Sequence, residues 1–165
     1  MKVIFLDVDG VLNSAKTVMS DESLETDLIH NLAAIVKATN AKIVLTSSWR
    51  MSPSALSHLM DALMWFDLSI SGCTREGVDI RDFEHTRFEG ITPTRRFLSP
   101  NTFTYDRGAE IAMWLLQHDF DVEKFVILDD SADDITNWFS KEFVEINFTK
   151  GLTKEDAAKA IKLLS

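Results

Sequence analysis

Short unbroken apolar runs alternate along the chain with apolar stripes at helical spacing. Val3-Ile4-Phe5-Leu6, Ile43-Val44-Leu45 and Phe125-Val126-Ile127-Leu128 are runs of aliphatic and aromatic residues that read as buried strands. Phe143-Val144-Glu145-Ile146 reads as the last strand, and Leu68-Ser69-Ile70-Ser71 as a further candidate. Between them, Leu24, Leu28, Leu32, Ile35 and Val36 line one face of a helix over 24–38. Ser52-Pro53 supplies an N-cap and an N1 proline, opening a helix that carries Leu56, Leu59, Met60 and Leu63. A helix from about Arg107 to His118 turns Ile111, Trp114 and Leu115 inward, and Ser131 is placed to cap another after the strand at 125–128. Thr153-x-x-Asp156 has the form of a capping box ahead of a final helix with Ala157, Ala160, Ile161 and Leu164. Strands apolar on both faces, alternating with helices, predict an α/β, three-layer, Rossmann-like fold with a central parallel sheet.

The pattern fails over residues 72–106, where Gly72, Gly77, Gly90, Pro93 and Pro100 interrupt any periodicity. A stretch this long inside a compact chain is expected to be a functional loop or insert. At 165 residues the expectation is a single domain, 1–165, carrying that insert. No apolar run approaches the roughly 18 residues of a membrane helix, and Asp7 follows too soon after Lys2 for a signal peptide. Cys73 is the only cysteine, which excludes an internal disulfide and suits a cytoplasmic protein. The net charge of −9 argues against broad nucleic-acid binding. Its distribution qualifies that, because all seven arginines fall between Arg50 and Arg107 and all ten lysines fall outside. Arginine forks suit phosphate. Pairing with Glu76, Asp79, Asp82, Glu84 and Glu89 explains the same segment without a ligand.

Chemistry collects where strands end. The first strand ends in Asp7-Val8-Asp9-Gly10, so two carboxylates at i and i+2 point to one side. They repel unless a cation or a shared proton lies between them. The second strand ends in Thr46-Ser47-Ser48, and the strand at 125–128 ends in Asp129-Asp130. In an open parallel sheet, ligands bind beyond the C-terminal strand ends, so hydroxyls and four carboxylates are expected at one edge. Hard oxygen donors of this kind select Mg²⁺. A nucleophilic carboxylate, a second to move a proton and a metal to screen both are the requirements of phosphoryl transfer through aspartate.

These segments resemble the four ordered motifs of the haloacid-dehalogenase-like (HAD) phosphohydrolases: Phe5-Leu6-Asp7-Val8-Asp9-Gly10-Val11-Leu12-Asn13, Leu45-Thr46-Ser47-Ser48-Trp49-Arg50, Arg107-Gly108 and Ile127-Leu128-Asp129-Asp130-Ser131. The resemblance spans nearly the whole chain and is closest to small stand-alone or RNA-repair-associated HAD domains. It implies a Mg²⁺-dependent phosphatase working through an aspartyl-phosphate, with little or no cap. Asp7 resembles the nucleophile, and Asp9 the general acid/base, which in the family also meets the metal through its backbone carbonyl. Thr46 matches the hydroxyl that holds a phosphoryl oxygen, and Asp130 matches the metal carboxylate. The implied metal set is Asp7, Asp9 and Asp130, with Asp129 a helper. The third-motif cation is Arg107 or Lys124. Arg107 is favoured because a helix start lies at the catalytic edge, whereas Lys124 begins a strand. Ser47, Arg50 and Asp129 are candidate substrate contacts. The RNA-repair resemblance implies a phosphorylated polynucleotide end as substrate.

Blander readings stand beside these. Val11 occupies a ligand position of an EF-hand loop, which disfavours calcium. Asp133 and Asp134 suit a helix start, Ser47 and Ser48 suit a turn, and Arg50 suits a surface ion pair. His30, His58, His85 and His118 match no metal spacing, and packing is the default for Trp49, Trp65, Trp114 and Trp138. A phosphoprotein or nucleotide phosphatase, a receiver-type phosphoacceptor and a catalytically retired binding module are the alternatives. The receiver is disfavoured because its acidic pair comes first in the chain, whereas here the adjacent pair comes last.

Overall fold

The computed structural model describes residues 1–18, 23–79, 103–118 and 121–165. Five strands, β1 (Lys2–Leu6), β2 (Lys42–Leu45), β3 (Ile70–Cys73), β6 (Lys124–Asp129) and β7 (Phe143–Glu145), form one sheet in the order β3-β2-β1-β6-β7. Every pairing in it is parallel. A separate two-stranded antiparallel ribbon joins β4 (Val78–Asp79) to β5 (Phe103–Thr104). The helices are α1 (Ala15–Val18), α2 (Thr26–Thr39), α3 (Pro53–Met64), α4 (Arg107–Gln117) and α5 (Lys154–Leu164), with a 3-10 turn at Ser48–Met51.

The strands are apolar on both faces because both faces are covered. Ile4, Leu6, Ile43, Leu45, Val126 and Leu128 pack with α2, α3 and α5. The alternate residues Val3, Phe5, Val44 and Ile127 pack with α4 and with Ile135 and Phe139. Phe5 is fully buried and meets Trp114 edge-on at 5.3 Å. The expected α/β sandwich with a parallel sheet is therefore present. Ser52 caps α3, and the reciprocal Thr153–Asp156 box caps α5.

Two expectations need correction. No helix follows Ser131: residues 133–138 form turns. The Ser131 N–H donates to Asp129 Oδ1, and Gly108 N–H reaches out from α4 to the Asp134 carbonyl, which an uninterrupted helix would keep for its own ladder. The segment's Thr136, Asn137 and Trp138 are weak helix formers, so these outside contacts prevail. The strand expected at 68–71 lies two residues later, because Asp67 takes a left-handed φ of 57° and Leu68 N–H closes back on Leu63. Arg81, Arg87, Arg95 and Arg96 lie outside the described residues.

Candidate active site

Register explains why the strand ends meet. Leu6 of β1 pairs with Leu45 of β2 on one side and with Leu128 of β6 on the other. The next residues, Asp7, Thr46 and Asp129, therefore lie abreast. The ladder runs on one step, with Asp7 N–H donating to Leu128 O at 3.0 Å and Thr46 N–H to Leu6 O at 2.9 Å. The chain leaves β1 toward β2 and β3 and returns on the far side with β6, so Asp7 stands at the topological switch point.

Carboxylate oxygens of Asp7, Asp129 and Asp130 all lie within 4.8 Å of one another. Arg107, the first residue of α4, reaches into this group. Its Nη1 donates to Asp7 Oδ1 and to Asp129 Oδ2, each at 2.8 Å. Burial pulls the Arg107 pKa down, but the charges of Asp7 and Asp129 more than reverse this and hold the guanidinium cationic. Burial, reinforced by the charge of Asp7, pushes the Asp129 carboxyl up to about 7. The same two causes raise Asp130. With all three ionised, the carboxylates exceed Arg107 by two negative charges, the charge a divalent cation would offset. Beside them, Thr46 Oγ1 is buried with no hydrogen-bond partner among the described residues. An oxygen-rich, charge-deficient group with an orphaned hydroxyl next to it fits a hard divalent ion and a phosphoryl oxygen.

Gly10 lets this group close. It adopts φ +75°, and a Cβ there would lie 2.7 Å from Asp130 Cγ and 2.8 Å from Phe148 Cδ2. The loop after β1 is closed at its base by Glu25, whose Oε1 accepts from Ser14 N–H at 2.9 Å and from Thr17 Oγ1 at 2.8 Å.

The sequence-derived residues divide into two sets. Asp7, Asp129, Asp130, Arg107 and Thr46 converge. Lys124 pairs in register with Lys2 at the opposite end of the sheet. The Asp9 carboxylate is not part of the three-carboxylate group; it accepts from Asn13 Nδ2 and from Trp49 Nε1, each at 2.9 Å. Asp129, expected as a helper at the metal site and as a substrate contact, stands within the carboxylate group. Ser47 is buried and caps the 3-10 turn. Arg50, expected at substrate or in a surface pair, has a side chain only 8% exposed. Its Nη1 donates to the Thr46 and Ser47 carbonyls, and its Nη2 meets Glu110 Oε2 at 2.8 Å. It braces the hydroxyl loop from beneath.

Sequence reasoning missed Glu110, Trp49 and Asn13. Glu110 is 3% exposed, and its Oε1 accepts the Gly77 N–H at 2.8 Å, so it ties the start of the insert to the Thr46 loop. Burial raises its pKa against the pull of the Gly77 N–H and of Arg50. The available signal was its place three residues after Arg107, on the same helix face, within an apolar stretch. Trp49 lies between Ser48 and Arg50, and nothing in that order announces what its indole N–H meets.

Comparison with known families matches the chain, over residues 3–157, to the family described as the HAD domain in Swiss Army Knife RNA repair proteins. No curated protein and no solved structure matches the chain. No helix among the described residues is long and apolar enough to cross a membrane.

Proposed function

Because the chain belongs to the family of HAD domains in Swiss Army Knife RNA repair proteins, we propose that it is a Mg²⁺-dependent phosphatase that hydrolyses a phosphate monoester through an aspartyl-phosphate on Asp7. The observation that carries this reading is the convergence of Asp7, Asp129 and Asp130 around Arg107, beside the orphaned Thr46 hydroxyl.

Asp7 attacks phosphorus through a carboxylate oxygen, and the bond to the leaving oxygen breaks. Asp9 gives that oxygen a proton, so an alcohol departs. The Asp9 carboxylate then takes a proton from water as the water oxygen attacks the aspartyl-phosphate, which frees Asp7 and inorganic phosphate. Arg107 holds Asp7 in position and offsets part of the local negative charge. Thr46 donates its hydroxyl to a phosphoryl oxygen. Asp7, Asp130 and Asp129 would hold the metal, which supplies charge neutralisation for the phosphoryl group when bound.

The substrate proposed is a phosphorylated polynucleotide end. The RNA-repair setting of the family supports it. So does the short connection between β1 and α2, whose described helix α1 has only four residues. Purified protein in Mg²⁺ should hydrolyse a generic aryl phosphate, and Asp7→Asn should abolish turnover. In competition, 3′- and 5′-phosphorylated oligonucleotides should outcompete mononucleotides and phosphopeptides. Full activity in Asp7→Asn would refute the mechanism, and turnover of nucleotides alone would refute the substrate.

A further inference from the structure

Asp9 has an unusual pair of partners. Each of its carboxylate oxygens accepts from a different side chain: Oδ1 from Asn13 Nδ2 and Oδ2 from Trp49 Nε1, both at 2.9 Å. Neither partner can accept in return. An indole N–H is donor-only. The Asn13 amide is equally fixed, because its Oδ1 takes the Gly10 N–H at 2.7 Å and leaves only the NH₂ group facing Asp9. The donors are held firmly. Trp49 is 7% exposed, its backbone N–H donates to Ser47 Oγ within the 3-10 turn, and Asn13 is fully buried. The ring of His58 lies beside the indole, with centroids 6.3 Å apart.

We propose that Trp49 and Asn13 are positioning residues that aim the proton of Asp9. A proton on this carboxyl has no acceptor at either partner, so it is confined to the lone pairs, one on each oxygen, that the two donors leave free. The same two bonds stop the carboxylate from rotating into the group of Asp7, Asp129 and Asp130, which reserves it for proton transfer. Trp49 lies three residues after Thr46, so one loop sets both the phosphoryl-contacting hydroxyl and the direction of proton delivery. This inference rests on the reading of Asp9 as the proton donor. In the step it serves, Asp7 forms its bond to phosphorus, the bond to the leaving oxygen breaks, and the electron pair left on that oxygen takes the Asp9 proton.

Proton delivery matters most for poor leaving groups, which gives a test that general loosening of the fold does not mimic. Trp49→Phe keeps the ring and removes the N–H. Asn13→Asp keeps the shape and the acceptor for Gly10 but replaces the donor facing Asp9 with an oxygen. Wild type and both variants would be assayed on an alkyl phosphate and on a dinitrophenyl phosphate, with Mg²⁺ affinity measured separately. The expected result is a kcat on the alkyl ester that falls by about tenfold or more beyond any fall on the dinitrophenyl ester, in each folded variant. KM and Mg²⁺ affinity should not follow the same pattern. Equal losses on both esters, or none on either, overturn the inference while leaving the phosphatase reading intact. A wild type inert toward both esters overturns the phosphatase reading and this inference with it.

Discussion

Replacing Arg107 with methionine keeps the length of the side chain and removes its charge. What remains is three carboxylates within 4.8 Å and no cation among them. Removing one partner of a buried ion pair costs about 3–5 kcal/mol. Two features lower that here: the Arg107 side chain is 27% exposed, and proton uptake offers an escape. Asp129, already near 7 beside Arg107, moves higher without it and stays protonated at neutral pH. A net loss of about 2–3 kcal/mol at pH 7.5 in EDTA follows, or a fall in Tm of roughly 4–12 °C for a domain of this size. The sign of the pH dependence is fixed. Unfolded aspartate titrates near 3.9, about three units below the folded value. The folded chain therefore holds a proton that the unfolded chain releases, and this site loses stability as pH rises from about 4 to 7. The penalty of Arg107→Met should therefore shrink at pH 5. Mg²⁺ should raise the Tm of the variant more than that of wild type, because it meets a larger charge deficit; saturation at 100 Kd contributes about 2.7 kcal/mol. Thermal unfolding of both proteins in EDTA and in Mg²⁺, at pH 5 and 7.5, measures all of this. A variant that melts with wild type in EDTA at pH 7.5, or whose penalty is the same at both pH values, refutes the electrostatic account.

Gly10→Ala should cost about 1–2 kcal/mol through its left-handed backbone. It should weaken Mg²⁺ binding by more than that strain implies, because the new methyl displaces Asp130; a variant whose Mg²⁺ titration matches wild type would contradict the close approach. Thr153→Ala should cost about 1 kcal/mol at pH 7 by opening the α5 cap. Burial works to raise the Asp156 pKa, but hydrogen bonds from Thr153 and Lys159 outweigh it and leave the pKa lowered. Its stabilisation is present above the unfolded pKa and lost as pH falls through the folded one. Urea midpoints of wild type and variant should therefore converge in acid, and a constant gap from pH 7 to pH 3 would refute this.

The sheet was legible because the apolar runs at 3–6, 43–45 and 125–128 allow no polar face, and only a doubly covered parallel sheet accepts that. The converging carboxylates were legible because they sit on the ends of those same runs. What stayed hidden depends on tertiary contacts. Ser131 looks like a cap, and the helix it would open is interrupted where α4 takes the Asp134 carbonyl. The β4–β5 ribbon has two residues in each strand, too few to show a period. The separation of Asp9 from Asp129 hinges on side-chain direction: spacing brings both to one edge, and only Asn13 and Trp49 turn Asp9 aside. Glu110 reads as one more charge on a helix until Arg50, sixty positions away, is seen beneath the same loop.

The ribbon pairs Val78–Asp79 with Phe103–Thr104 antiparallel, so two segments distant in the chain lie side by side. A detour whose ends already meet adds little closure entropy when it lengthens. A change in the length of the sequence between these strands therefore costs the fold little, and Glu110 ties Gly77, just before the first of them, to the helix that carries Arg107. The position of Arg107 is thereby insulated from such changes in length.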